Sequence, residues 1–76
     1  MCRPEKRSFT ISGHRTSISL ETAFWDALKA IAREEKTSAA ALIGRVDAVR
    51  GKAGLSSAVR VWLLQYYRQR ADRNTG

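Results

Sequence analysis

The sequence predicts a mostly α-helical domain that opens with a short β-hairpin. Three observations carry that expectation. Two runs around Gly13 alternate between apolar and polar residues. After Leu20 the hydrophobic period lengthens from two residues to that of a helix. The rest of the chain then falls into three apolar-striped segments divided by short polar or Gly-containing breaks.

The first run, SFTIS at 8–12, sets Phe9 and Ile11 against Ser8, Thr10 and Ser12. The second, HRTSISLE at 14–21, sets Thr16, Ile18 and Leu20 against Arg15, Ser17 and Ser19. A two-residue turn fits at Ser12-Gly13 or at Gly13-His14. Either turn makes odd positions of the first strand share a face with even positions of the second. One face is then greasy and the other rich in hydroxyls, as a half-buried sheet requires. Residues 1–7, MCRPEKR, are polar and interrupted by Pro4, and read as a flexible basic arm. Cys2 in that arm has no specific role.

Glu21 or Thr22 can cap the first helix, with Asp26 near its positive end. Phe24, Leu28, Ile31 and Ala32 form its stripe, with Trp25 beside them. Glu35-Lys36-Thr37 is a break. Ser38 is a good N-cap for a second helix from Ala39 to about Arg50, striped by Ala39, Leu42, Ile43, Val46 and Val49. Gly44 costs that helix roughly 1 kcal/mol relative to Ala, and close approach of another helix is one reason to keep it. A third helix starts near Ser56 or Ser57 and runs to about Arg70. It is apolar over most of its circumference, so the other helices, and a second protomer, are expected to enclose it. The organisation is thus a single domain over 8–70 and a flexible tail over 71–76.

Seventy-six residues suffice for one small domain that is marginal alone. One cysteine allows no intrachain disulfide, and one histidine, His14, allows no His/Cys metal cage within a protomer. Oligomerisation is the favoured route to stability. Fourteen Lys and Arg against seven Asp and Glu give +7, which favours an anionic partner. No catalytic triad, paired carboxylates or phosphate loop is evident, so the sequence points away from an enzyme, a metal site or any cofactor. No secretory signal or membrane-length apolar run is seen, which makes the cytoplasm the expected location.

The run RTSISLETAFWDALKAIAREEKTSAAALIGRVDAVR resembles the ribbon-helix-helix family of DNA-binding domains. With RSFTISGHRTSISLE before it and GLSSAVRVWLL after it, the chain is similar to a longer bacterial subfamily with an additional C-terminal helix. The resemblance implies a homodimeric, sequence-specific DNA-binding transcriptional regulator, a repressor, that can assemble to higher order on DNA. It implies a strand ribbon in the major groove, with base contacts from Arg15, Ser17 and Ser19. It implies phosphate contacts at the second helix's N-terminus, Thr37, Ser38 and Ala39. Arg3, Lys6 and Arg7 are further phosphate candidates on charge. Ile18, Leu20, Phe24, Leu28, Ile31, Leu42, Ile43, Val46 and Trp62 are expected in the core or dimer interface.

Two departures from the family carry consequences. Lys36 stands where the family often has Gly, and Lys tolerates a left-handed conformation poorly, so a different turn is one expectation there. The added strand 8–12, if paired within the chain, gives a dimer four strands, and the hairpin must then curl aside on DNA or bind in another way. Two other functions stay open. One is an antitoxin or adaptor gripping a protein partner through residues 57–70. A weaker one is binding to a membrane surface through basic helices.

Overall fold

The computed structural model describes the backbone of residues 3–75 and the side chains of residues 3–72. Cys2 therefore lies outside the described residues. Two strands, β1 (Glu5–Ile11) and β2 (His14–Leu20), precede three helices, α1 (Thr22–Glu34), α2 (Ala39–Val49) and α3 (Leu55–Thr75). The strands pair antiparallel within the chain, from Glu5 opposite Leu20 to Ile11 opposite His14. Ser12 and Gly13 form the turn, both at positive φ (53° and 82°). That is the two-residue geometry whose twist matches a right-handed hairpin.

β1 begins at Glu5, so the strand takes in three residues of the expected arm. Alternation hid them because the inward positions there are charged. Arg7 lies on the core side of the sheet, holds Glu5 through Nη2 at 2.6 Å, and places its guanidinium 5.1 Å from the Trp25 ring centre. Trp25 Nε1 also donates to the Glu5 carbonyl at 2.9 Å, fixing the strand's start. The other end differs too. α3 runs through to Thr75, past the expected end near Arg70. No Gly or Pro stands between Leu55 and Thr75 to stop it.

The core lies between the sheet and the three helices. Ile11, Ile18 and Leu20 come down from the sheet, and Trp25, Leu28, Ile31 and Ala32 meet them from α1. α2 supplies Leu42, Ile43 and Val46, and α3 supplies Val59 and Leu63. Phe24 and Trp62 are half-buried at the margin of this cluster. Val49, expected on the apolar stripe of α2, is 78% exposed. It is the last residue of that helix. Gly44 meets no helix: a Cβ there would lie 3.8 Å from Ile11 Cγ2, an ordinary contact with the strand.

The α1–α2 break keeps a left-handed turn despite its lysine. Lys36 has φ 55°. Its N–H donates to the Arg33 carbonyl at 3.2 Å, and the Thr37 N–H donates to the Ala32 carbonyl at 2.9 Å. This pair of bonds is a Schellman helix ending, in which the residue in Lys36's place is usually Gly. The side chain costs conformational energy here, and the turn forms nonetheless.

Candidate nucleic-acid interface

The register places Lys6, Ser8 and Thr10 of β1 beside Ser19, Ser17 and Arg15 of β2 on the sheet face away from the helices. Ser8 Oγ and Ser17 Oγ lie 3.5 Å apart. Lys6, Ser8, Thr10, Arg15 and Ser17 are exposed, and Ser19 is half-buried. This face holds four hydroxyl residues and two cations, and no carboxylate. The ion pairs of the described residues join Arg7, Arg45, Arg50, Arg60 and Arg70 to Glu5, Glu35, Asp47, Glu21 and Glu34 in that order. Lys6 and Arg15 stand outside all of them. The positive charge of the hydroxyl face is therefore not cancelled locally, and its hydroxyls can donate or accept as a base edge demands.

The sequence-derived site residues fall in three places. Arg15, Ser17 and Ser19 share the hydroxyl face with Lys6. Arg3 is exposed just before β1. Arg7 lies on the opposite face, occupied by Glu5 and Trp25. Thr37, Ser38 and Ala39 mark the start of α2, where Ser38 Oγ accepts from the Ala41 N–H at 3.1 Å. The Ser38 carbonyl accepts from Leu42. The N–H groups of Ala39 and Ala40 take no partner among the described residues, so the helix end can still hold an anion.

Two residues that sequence reading missed set the limit of the strand surface. Ser56 Oγ accepts from the Ser19 N–H at 3.1 Å, and Arg60 Nη2 donates to the Ser19 carbonyl at 3.1 Å. Arg60 Nε also binds Glu21 Oε1 at 3.0 Å. A backbone hydrogen bond and the Arg60 guanidinium hold the Glu21 carboxyl below its ordinary pKa of 4.5. The first two turns of α3 thus cover the outer edge of β2 at Ser19. In the sequence, Ser56 reads only as one possible helix start, and nothing singles out Arg60. Their signal, contact with a strand thirty-seven or more residues away, exists only in three dimensions.

A strand unit followed by two helices, with a polar strand face turned outward, defines a small β-ribbon and helix module. The Ribbon-helix-helix domain model matches residues 4–67, and the chain belongs to that family. Its third helix completes the module rather than standing apart, since the match runs well into α3. Ribbon-helix-helix domains are typically DNA-binding transcription regulators or antitoxins, and typically form dimers. They are generally regulatory modules rather than enzymes. No curated protein and no solved structure matches the chain. No helix of the described residues is long and apolar enough to cross a membrane.

Proposed function

We propose that the protein is a homodimeric, sequence-specific DNA-binding transcriptional repressor of the bacterial cytoplasm. The observation that carries this reading is the carboxylate-free hydroxyl face, with Lys6 and Arg15 outside the ion pairs of the described residues. The hairpin pairs within the chain, so each protomer offers a two-stranded ribbon by itself, a shape the major groove admits. Arg15 and Ser17, with Ser19 beside them, address base edges, Arg15 suiting guanine O6 and N7. Lys6, Arg3 and the start of α2 at Thr37, Ser38 and Ala39 bind phosphates. Selection of bound sequences from random duplex DNA tests the reading. An enriched inverted repeat is expected, and no duplex binding at low salt would refute it.

A second reading has its own support. Val61, Leu64 and Tyr67 of α3 are exposed, and with Phe24 they line an apolar groove between α1 and α3. An antitoxin or adaptor would use that groove for a protein partner. Val61→Glu with Leu64→Glu should then abolish capture of a partner from host extract and leave DNA affinity unchanged.

A further inference from the structure

Two recesses meet at Arg50. One is an apolar groove of about 290 Å³ between α2 and α3, walled by Val46, Val49, Ala58, Val61 and Trp62. The other, about 230 Å³, lies between the turn end of the hairpin, the end of α2 and the start of α3, and is lined by His14, Arg15 and Asp47. Arg50 belongs to both linings. Its guanidinium is held from two sides. Nε donates to Asp47 Oδ1 at 2.6 Å, and Nη1 donates to the Ala53 carbonyl at 2.5 Å. The Ala53 N–H in turn donates to the Arg50 carbonyl at 3.2 Å, across a turn in which Gly51 takes φ 63°. Nη2 takes no hydrogen bond among the described residues. The side chains of His14 and Arg15 make no hydrogen bond or ion pair among them either. The structure thus fixes one guanidinium at the end of an apolar groove and leaves one of its donor edges free.

We propose that the joined recess is a binding site for a small amphipathic carboxylate, with its apolar chain in the α2–α3 groove and its carboxylate on Arg50 Nη2. The walls of the groove are aliphatic carbon and indole, and Val49 and Val61 are 78% and 52% exposed. Covering them with a hydrocarbon chain removes apolar surface from water. The guanidinium gives the ligand its direction, because its planar donors match a carboxylate. Being held in place already, it loses little freedom on binding. Asp47 does not repel the head strongly, since its charge is met by Arg50 at 2.6 Å. Arg15 adds a second positive charge on the far side, and His14 a ring donor. The volume sets the size. Small-molecule sites span roughly 300–1,000 Å³, and this groove lies at the low end, so it fits a short acyl chain and not a nucleotide-sized cofactor. Arg15 lines the recess and also stands on the hydroxyl face, so a bound carboxylate competes with DNA for it. That coupling rests on the DNA reading above; the site itself does not.

Octanoate is the probe, titrated into the full chain without DNA. Trp62 lines the groove and Trp25 is only 2% exposed, so a change in indole fluorescence reports the groove. The expected result is a saturable change, with one octanoate per protomer by calorimetry. Octanamide keeps the chain and loses the charge, and should bind at least about tenfold more weakly. Acetate, the head without the chain, should give no saturable change. Arg50→Gln should weaken octanoate by the same factor as the octanamide exchange. Because Arg50 also fastens Ala53, Val49→Glu supplies a second variant. It sets a carboxylate beside the groove at an exposed position, and should weaken octanoate while keeping the parent's circular dichroism. Leu64→Glu makes the same charge change in the separate α1–α3 groove and should leave octanoate affinity as it was. No saturable binding, octanamide binding as tightly as octanoate, or equal losses in Val49→Glu and Leu64→Glu overturns the site. The coupling is read by anisotropy with a labelled duplex. Saturating octanoate should raise the duplex dissociation constant at least about fivefold in the parent and not in Val49→Glu. An unchanged constant overturns the coupling and leaves the site standing. A chain that binds octanoate and no duplex overturns the DNA reading, and the coupling with it.

Discussion

Lys6 and Arg7 are neighbours in sequence with opposite fates in the fold, and the salt dependence of DNA binding should separate them. Lys6 stands on the hydroxyl face outside the ion pairs. Arg7 faces the core side, held 2.6 Å from Glu5 and over the Trp25 ring. Each phosphate neutralised adds about 0.9 to the slope of log affinity against log salt. In a homodimer Lys6→Ala removes two such contacts, so the slope should fall by roughly 1.8. Between about 50 and 200 mM salt, the parent should therefore lose roughly tenfold more affinity than the variant. Arg7→Ala should leave the slope unchanged, whatever it does to stability. Fluorescence anisotropy with a labelled duplex across a salt series measures both, at a temperature where circular dichroism shows each variant folded. Equal slope changes for the two variants would refute the assignment of the hydroxyl face as the DNA surface. So would a larger change for Arg7→Ala.

Gly44→Ala should stabilise the protein by about 1 kcal/mol, because helix propensity improves and the new methyl meets Ile11 Cγ2 at an ordinary 3.8 Å; a raised urea midpoint checks it. Lys36→Gly should also stabilise, by about 1 kcal/mol, by relieving a left-handed lysine, and should leave the Schellman bonds in place; thermal unfolding reads it. The Glu21 carboxyl is held below its ordinary 4.5 by a backbone hydrogen bond and by Arg60. A depressed carboxylate contributes stability that is complete above the ordinary pKa and is lost as pH falls through the folded value. Glu21→Gln should thus be less stable than the parent at neutral pH, and the two should converge in acid below that value; urea midpoints across the pH range follow it.

How far the chain could be read in advance depended on the range of the forces involved. The alternation around Gly13 and the parity of a two-residue turn were enough to sort the hydroxyl face from the greasy one, since strand periodicity is a local property. The helices were legible for the same reason, and Ser38 caps α2 through its own side chain. Boundaries were less legible. Glu5 and Arg7 break the apolar pattern of β1, yet pairing with Leu20 and Ile18 and contact with Trp25 hold them extended. Lys36 adopts the left-handed turn because two backbone bonds and the packing of α1 against α2 outweigh its side chain's preference.

The candidate site divides along the same line. Arg15, Ser17 and Ser19 could be placed on one face from their spacing alone. That Lys6 joins them and Arg7 does not follows from a register set by the strand's partner. That Ser56 and Arg60 cover one edge of the sheet follows from where α3 docks, once Val59 and Leu63 enter the core. The sequence by itself determined which residues have the chemistry to meet DNA and which elements carry them, because periodicity and capping act over a few residues. Only the tertiary structure decided which cations stay free of carboxylates and which strand edge is covered, because contacts between residues far apart in the chain exist only after the core has closed.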